Sequence, residues 1–292
     1  MNILVTGANG QLGSELKALQ KTGSYNNFGF HFTDVEDLDI TLKQEVEDYV
    51  QQHNIDTIIN CAAYTDVDGA EENQEAAFLI NETAVGYLSE IASEKKIQLI
   101  HISTDYVFDG QNYLPYKETD EPLPQSVYGR SKRAGEIKIL DNQAGLIIRT
   151  AWLYSSYGKN FVKTISRLSK ERDELKVIYD QVGNPTYAGD LAESILKILE
   201  KRQDDSILTG IYHFANEGVC SWYDLAMEIT EQENTSCTIH PIESKDWPAK
   251  AQRPHYSLFN KAKIKNDFDI TIPYWKHSLK KMLDKLSGYY YH

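Results

Sequence analysis

The sequence predicts an α/β protein built on a doubly wound parallel sheet, with a smaller C-terminal lobe. Short apolar runs alternate with helical patterns as far as about residue 215, which is typical of a parallel sheet covered by helices on both faces. The first apolar run leads directly into a glycine-rich turn that opens a helix. Beyond residue 180 the alternation loosens, and five of the eight prolines lie there. We therefore expect the last part of the chain to cover the carboxyl edge of the sheet, where such sheets bind ligands.

The individual strands and helices follow from the period of the apolar residues. Continuous apolar runs predict buried strands, and apolar residues spaced by three and four predict helices. The predicted strands span residues 2–6, 28–34, 56–63, 98–104, 146–150 and 211–215. The predicted helices span residues 11–20, 44–52, 73–94, 128–140, 161–171, 190–201 and 221–231.

The composition indicates an acidic globular protein. The 292 residues carry 30 Lys and Arg against 43 Asp and Glu, a net charge of −13. This balance excludes the broad basic surface of a nucleic-acid-binding protein. No apolar run approaches the roughly 18 residues of a membrane span, and the first residues lack a signal-peptide pattern. Cys61, Cys220 and Cys237 are scattered without disulfide or zinc spacing, which fits a reducing cytoplasm.

Three glycines, Gly7, Gly10 and Gly13, follow the first predicted strand and open the first predicted helix. Without Cβ atoms they permit a tight turn close to a pyrophosphate, and free N–H groups at the helix start attract that anion. The turn, with Gln11 and Leu12, therefore predicts a dinucleotide site of the Rossmann type. We expect residues 1–150 to form mainly the dinucleotide-binding domain. Residues 151–292 are expected to form mainly a substrate lobe, with some segments returning to the first domain.

The end of the second predicted strand bears on the choice of cofactor. An acidic residue there binds the adenine ribose in Rossmann folds, and Asp34 lies 21 residues beyond Gly13. The adjacent residues 35–37 include no Arg or Lys to pair with a 2′-phosphate, so charge favours NADH. Arginines from distant parts of the chain can reverse that preference, so the cofactor can be either NADPH or NADH. The other residues expected beside the cofactor are Asp39, Ile40, Ala62, Ala63 and Tyr64.

Tyr128 and Lys132 stand four residues apart in a predicted helix and therefore share one face. A cation close to a phenol favours the phenolate and lowers its pKa. The spacing predicts a tyrosine that gives a proton to a developing alkoxide near neutral pH. The fourth predicted strand ends at Ser103 and Thr104, at the edge of the sheet where a ligand would bind.

The G-x-x-G-x-x-G spacing and the Tyr-x-x-x-Lys pair resemble the short-chain dehydrogenase/reductase superfamily. Longer motifs over nearly the whole chain are similar to one of its families, the dTDP-4-dehydrorhamnose reductases. They span residues 1–13, 60–68, 103–110, 127–132, 149–154, 180–186, 210–213 and 253–254.

This resemblance implies a set of functional residues. Thr104, Tyr128 and Lys132 would be catalytic, with Thr104 on the substrate carbonyl and Ser103 as the alternative. Lys132 would also bind the ribose of the cofactor. Asp105 and Trp152 would contact the sugar, and an indole packs well on a sugar face. The implied reaction is reduction of the 4-keto group of dTDP-4-dehydro-L-rhamnose by NADPH or NADH, with Tyr128 as proton donor.

The diphosphate of a nucleotide sugar needs hydrogen-bond donors in its binding site. Arg253 is the candidate, because a guanidinium forks onto phosphate oxygens, and the helix start near residues 160–161 would assist. Asp105 is followed by Tyr106 rather than the Glu that a 4,6-dehydratase would need. Three alternatives stay open: another nucleotide-sugar reductase, an epimerase or a non-catalytic regulatory subunit. A regulatory subunit, however, has no need of the three catalytic groups.

Some members of the family dimerise through a metal ion held by carboxylates. The matching positions here are Glu15 and Asp190, and the third ligand would come from residues 287–292, which carry no side-chain carboxylate. A hard cation prefers oxygen ligands. We therefore expect no such metal site, leave a homodimer possible, and expect neither a nucleic-acid nor a membrane partner.

Overall fold

The computed structural model describes residues 1–202, 206–247 and 249–288. The strands in those ranges are β1 Asn2–Thr6, β2 Gly29–Phe32, β3 Thr57–Asn60, β4 Gln98–Thr104, β5 Gly145–Thr150, β6 Leu153–Tyr154, β7 Glu174–Ile178, β8 Val182–Gly183, β9 Thr186–Tyr187, β10 Gly210–His213, β11 Cys220–Ser221, β12 Thr238–Ile242 and β13 Tyr256–Ser257. The α-helices are α1 Gln11–Lys21, α2 Lys43–Gln52, α3 Val67–Glu72, α4 Gln74–Phe78, α5 Ala84–Lys95, α6 Val127–Asp141, α7 Phe161–Glu171, α8 Ala188–Lys201, α9 Trp222–Gln232, α10 Ala262–Phe268 and α11 Trp275–Leu286. One turn of π-helix, Leu79–Thr83, joins α4 to α5, and short 3₁₀ turns span Asp105–Val107 and Ser244–Asp246.

A six-stranded sheet lies at the centre of the molecule, in the order β10-β5-β4-β3-β1-β2. Every neighbouring pair of its strands is parallel. The chain adds β2 on one side of β1 and then continues with β3 on the other, so the strand order reverses beside β1. Ligands of open α/β sheets bind at such a switch point. The predicted doubly wound parallel sheet is confirmed, and the strand bounds differ from the predicted ones by a few residues at most.

Helices cover both faces of this sheet because successive side chains of a strand point to opposite faces. In β1, Ile3 and Val5 pack with residues of α1 and α8, including Leu16 and Ile195. The intervening Leu4 packs on the other face, in a cluster with residues of α2, α5 and α6. All these side chains are buried, which accounts for the continuous apolar run that predicted the strand.

The helix predicted over residues 73–94 is present from residue 74 to residue 95, but it is not regular α-helix throughout. A π-helical turn lies within it and carries the fully buried Asn81. The Asn81 amide donates to the Tyr64 carbonyl (3.0 Å) and to Ser131 Oγ (3.0 Å), and its oxygen accepts from the Tyr64 N–H (2.9 Å). A widened turn accommodates an extra residue. Here it turns a polar side chain inward to tie the loop after β3 to α6.

The C-terminal part of the chain forms the expected smaller lobe, with two- and three-stranded sheets made of β6 to β9 and β11 to β13. Its core joins α7, α9 and α11, with Trp275, Leu279 and Met282 buried on α11. Neither α10 nor α11 was predicted. The strand β10 returns to the central sheet, and α8 packs on α1. The proposed division near residue 150 stays a prediction. Among the described helices, none has the length and apolar content to cross a bilayer.

A fully buried ion pair joins α6 to β5. Glu136 accepts two hydrogen bonds from the Arg149 guanidinium, at 2.8 and 2.7 Å, and a third from Ser103 Oγ at 2.6 Å. Arg133 donates a fourth at 2.9 Å. The Arg149 guanidinium also lies over the Phe108 ring, 4.9 Å from its centroid. These bonds hold the pKa of Glu136 below its ordinary value despite its burial.

Replacement of Glu136 by Ala should lower the free energy of unfolding by about 3–5 kcal/mol, because Arg149 would be left buried without its counter-charge. Urea denaturation measures the loss. The control is Glu171→Ala, which removes an exposed partner of Arg167 on α7 and should cost no more than about 1 kcal/mol. Similar losses in the two variants would contradict this account of the buried pair.

Candidate active site

A cleft of about 990 Å³ opens at the carboxyl edge of the central sheet. Its wall is built from the segments that directly follow the first five strands. Each contributes side chains or backbone because the ends of parallel strands meet at one edge. The predicted residues in this wall are Gly7, Gly10, Gln11, Leu12, Asp34, Asp39, Ile40, Ala62, Ala63, Thr104, Asp105, Tyr128, Lys132 and Trp152.

The glycine turn forms one end of the cleft. Gly7 has φ of +62°, and a Cβ there would lie 2.6 Å from the backbone nitrogen of Ala62. Gly13 is set behind the wall, where a Cβ would lie 2.5 Å from the Ala8 Cα. The first glycine thus permits the turn to approach β3, and the third permits α1 to pack closely on the turn. This cradle fits a dinucleotide pyrophosphate at the start of α1.

The Asp34 carboxylate is fixed at the rim of the cleft by backbone N–H groups. Its Oδ2 accepts from Asn9 N (2.8 Å), and its Oδ1 accepts from Val35 N (2.9 Å). The carboxylate therefore connects the loop after β2 to the glycine turn. Its position beside the turn agrees with the predicted place for an adenine ribose.

The start of α6 lies directly against the turn that follows β4. Ser126 caps the helix by accepting from the Gly129 N–H (3.1 Å), and a Cβ on Gly129 would lie 2.2 Å from the Tyr106 carbonyl oxygen. This close packing brings Tyr128 to the end of β4, where the Thr104 hydroxyl lies near enough to the phenol to influence its pKa. The structure therefore places the two predicted hydroxyl groups close together in the cleft wall.

The expectation of a lowered pKa for Tyr128 is wrong for this structure. Burial raises the pKa of Tyr128, the neighbouring Thr104 hydroxyl lowers it in part, and the nearby Asp105 charge raises it, so that the pKa of Tyr128 is about 12. Lys132 does not counter this rise because its amine is turned toward β4. There Nζ donates to the Ile102 carbonyl at 2.7 Å and contacts His101 Nε2 at 3.2 Å. The phenol is thus a protonated donor at neutral pH.

Asp105 and Trp152 also line the cleft. The Asp105 side chain is buried beside Thr104, which donates to its Oδ1 at 3.0 Å, and burial raises its pKa to about 6. Trp152 has φ of +49°, a rare conformation for a non-glycine residue, and strained residues of this kind cluster at functional sites. Its ring stacks on Trp222 with centroids 3.6 Å apart and planes within 8°.

Besides Gly13, two predicted residues lie outside the cleft wall described above. Arg253 is occupied by Asp68, with NH2 donating to Oδ2 at 2.8 Å. Tyr64 is tied through its backbone to Asn81. A cation that sequence reasoning missed is the exposed Lys159, which lines the cleft at the loop before α7. Lys159 stands just before the predicted helix start at residues 160–161, and this position could have indicated it as a candidate for the diphosphate.

The two carboxylates considered for a metal each have cationic partners. Glu15 Oε2 accepts from Lys285 Nζ at 2.6 Å, and Asp190 Oδ1 lies 3.3 Å from Lys281 Nζ. Among the residues that the structure describes, no group of three or more His, Cys, Asp or Glu side chains is arranged to hold a metal ion. Part of the expected third-ligand segment, residues 289–292, lies outside the described residues. The absence of a metal site stays a prediction.

A sequence profile described as the RmlD substrate binding domain matches residues 1–287. The chain belongs to the RmlD family. Relatives of this RmlD-family chain include proteins named dTDP-4-dehydrorhamnose reductase. One from Aggregatibacter actinomycetemcomitans is 41% identical, over 96% of this chain and 97% of the relative. Another, from Escherichia coli K12, is 38% identical over 98% of each chain.

Solved structures agree with this assignment of the RmlD-family chain. A dTDP-4-dehydrorhamnose reductase from Clostridium acetobutylicum has a TM-score of 0.91 at 41% identity, covering 98% of this chain and all of the other. One from Bacillus anthracis, in complex with NADP, has a TM-score of 0.91 at 37% identity, covering 97% and 99%. A dTDP-glucose 4,6-dehydratase from the same organism, 17% identical with a TM-score of 0.82, shares the fold.

Replacement of Gly7 by Ala should cost more than about 3 kcal/mol of folding free energy. A left-handed conformation costs roughly 1–2 kcal/mol for a residue with a Cβ, and the clash with Ala62 adds to it. Gly23→Ala is the control, because Gly23 shares a positive φ (+77°) but its nearest atom would be 3.6 Å away. Urea denaturation of both variants separates the cost of the left-handed conformation from the cost of the clash. Equal losses of folding free energy would contradict the close approach of Gly7 to Ala62.

Proposed function

We propose that this chain reduces the 4-keto group of dTDP-4-dehydro-L-rhamnose with NAD(P)H, giving dTDP-L-rhamnose. The observation that carries the proposal is that the Thr104 and Tyr128 hydroxyls lie close together in the wall of the cleft that also holds the glycine cradle. Family membership supports the same chemistry, since relatives at 38–41% identity over nearly the full chain are named as this reductase. The three unpaired thiols fit a cytoplasmic location, which we propose with it.

The residues of the cleft fit a nicotinamide cofactor. The turn at Gly7 and Gly10 with the start of α1 would hold the pyrophosphate, and Asp34 would face the adenine ribose. Asp39 and Ile40 would lie against the adenine. When bound, the reduced cofactor supplies a hydride to the substrate carbonyl carbon. Lys132, on the same face of α6 as Tyr128, would bind the nicotinamide ribose.

The hydroxyls of Thr104 and Tyr128 would act on the oxygen of the reacting carbonyl. As the carbon accepts the hydride, the C–O double bond becomes single and negative charge grows on that oxygen. Donors fixed in advance toward developing charge stabilise such a transition state, typically by about 3 kcal/mol each. Tyr128 then transfers its phenolic proton to the oxygen and completes the alcohol. Because burial raises its pKa to about 12, Tyr128 carries that proton at neutral pH before reaction.

The substrate would lie between β4 and the smaller lobe. Trp152 offers an indole face to the deoxysugar, held rigidly by its stack on Trp222. Asp105 would accept a hydrogen bond from a sugar hydroxyl. We propose Lys159 as the cation for the diphosphate, because Arg253 already has Asp68 as counter-charge. A homodimer stays a prediction.

The deciding experiment follows the absorbance of NADH and NADPH in the presence of the protein and candidate sugar nucleotides. Oxidation with dTDP-4-dehydro-L-rhamnose and formation of dTDP-L-rhamnose would support the proposal. Conversion of a sugar nucleotide without net consumption of reduced cofactor would indicate an epimerase instead. Binding of cofactor without turnover of any sugar nucleotide would favour a regulatory subunit.

The Tyr128→Phe variant should lose about 10²–10⁴-fold in kcat, because the proton donor is absent from the transition state. Its dissociation constant for NADPH should stay within about twofold of the wild-type value, since the phenyl ring remains. Steady-state kinetics and fluorescence titration measure the two quantities. Tyr113→Phe, at a side chain that is 85% exposed, is the control and should keep full activity. A kcat within tenfold of wild type for Tyr128→Phe would remove Tyr128 from the mechanism.

Removal of the Asp34 charge should shift the cofactor preference toward NADPH. An unfavourable charge–charge energy of about 1 kcal/mol between Asp34 and a 2′-phosphate corresponds to about fivefold. We expect the ratio of kcat/KM for NADPH to that for NADH to rise by about this factor in Asp34→Ala. Glu171→Ala makes the same charge change on the exposed end of α7 and should leave the ratio unaltered. An unaltered ratio in Asp34→Ala would show that Asp34 does not set the preference.

A further inference from the structure

A chain of buried polar side chains crosses the centre of the sheet from β1 to Lys132. Thr6 Oγ1 donates to Asn60 Oδ1 at 2.7 Å, Asn60 Nδ2 lies 3.0 Å from His101 Nδ1, and His101 Nε2 lies 3.2 Å from Lys132 Nζ. Each of these four residues is at most 1% exposed. His101 was not among the predicted site residues, and a buried polar group of this kind calls for a partner at every polar atom.

The orientation of the Asn60 amide is fixed by a backbone group. The Ala62 N–H can only donate, and it donates to Asn60 Oδ1 at 3.1 Å. The Asn60 amide nitrogen must therefore face His101 Nδ1 and donate to it. A ring nitrogen that accepts carries no proton, so the hydrogen of the neutral His101 ring lies on Nε2. Burial lowers the pKa of His101 well below its ordinary value, which keeps the ring neutral.

The Nε2–H of His101 is consequently directed at the amine of Lys132. An ammonium group has three hydrogens and no lone pair, so it cannot accept a hydrogen bond. The neutral amine has a lone pair and can accept one. The amine also donates to the Ile102 carbonyl at 2.7 Å. We propose that His101 is a positioning residue that donates a hydrogen bond to the unprotonated amine of Lys132 and so stabilises that form over the ammonium.

The other groups facing Lys132 leave this assignment intact. On α6, Glu136 raises the pKa of Lys132, but its carboxylate is already engaged by Arg149, Arg133 and Ser103. After β3, burial raises the pKa of Cys61 to about 12, so this thiol is neutral. Tyr128, on α6, is neutral for the same reason. Asp105 follows β4 and contributes negative charge near Tyr128. The net effect of burial is to lower the pKa of Lys132 to about 8.

The consequence for catalysis rests on the proposed function. With a pKa of about 8, the Lys132 amine is mostly unprotonated above about pH 8, and in that form it leaves the Tyr128 phenol as the acid of the site. After Tyr128 gives its proton to the alkoxide, the phenolate charge favours protonation of the neighbouring amine. A proton taken from water by Nζ then balances the one that Tyr128 gave up. His101 would set how readily the amine takes that proton.

The test is an NMR titration of the full-length protein without ligand, labelled with ¹⁵N in histidine and with ¹³C and ¹⁵N in lysine. The Lys132 signal is assigned by its loss in Lys132→Met. The ¹⁵N shifts of His101 report which nitrogen carries the proton, and the Lys132 shift is followed from about pH 6 to about pH 11. We expect the proton on Nε2 and a Lys132 pKa well below the usual value of about 10.4.

Two variants isolate the contribution of His101. His101→Phe keeps an aromatic ring without nitrogens and should raise the pKa of Lys132 by about one unit, the size of one lost hydrogen bond. Thr6→Val is the matched control, because it removes a polar atom from the same buried chain while the Ala62 N–H still orients Asn60. It should leave the Lys132 pKa unchanged. If His101→Phe does not fold, Asn60→Asp replaces the donor at Nδ1 by an acceptor, and should move the ring proton to Nδ1 and raise the Lys132 pKa.

A proton on Nδ1 of His101 in the wild-type protein would overturn the proposal. So would an unchanged Lys132 pKa in a folded His101→Phe variant, with folding checked by circular dichroism. A ligand-free titration does not depend on turnover. Failure of the reductase assay with a normal titration would therefore reject the proposed reaction alone, whereas activity with the opposite tautomer would reject only the role of His101.

Discussion

The site depends on the buried ion pair between Glu136 and Arg149. Tyr128, Lys132 and Glu136 follow one another at intervals of four residues on α6, so any rotation of the helix moves all three together. The bidentate bond to Arg149 on β5 and the bond from Ser103 on β4 fix that rotation from the side of the sheet. Inside the protein these bonds are not screened by water, and they hold a reactive helix against two strands at once. The close approach of the Thr104 and Tyr128 hydroxyls follows from this arrangement.

The sequence predicted the sheet and most of the cleft because both depend on local pattern. Apolar runs identify parallel strands, and the ends of parallel strands converge whatever lies between them. What the sequence did not reveal depended on contacts between distant parts of the chain. The partner of Arg253 is Asp68, 185 residues away, and no local pattern indicates that pairing. The protonation of Tyr128 likewise depends on where the Lys132 amine turns, and two groups that share a helical face still point to different neighbours.

The smaller lobe was predicted in outline but not in its elements. Five of its described strands have only two residues, too short to show a periodic pattern of apolar residues. They pair because the chain is already anchored on both sides. One product of this anchoring is the stack of Trp152 on Trp222, in which a residue after β5 meets the first residue of α9. A Cβ on Gly183 of β8 would lie 2.8 Å from the Trp152 ring, so this indole is enclosed on its edge as well.

The π-helical turn at Leu79–Thr83 limits how this segment can vary in length. Each residue of an α-helix turns the chain by about 100°, so the additional residue of the wide turn sets the angular phase of everything after it. With that phase, Val85 and Leu88 of α5 face the sheet, while Leu79 and Ile80 face the cleft. Deletion of a single residue between α4 and α5 would restore a regular helix and rotate one of these two faces away from its partner. A change of length here would therefore separate the residues that pack on the sheet from those that line the cleft.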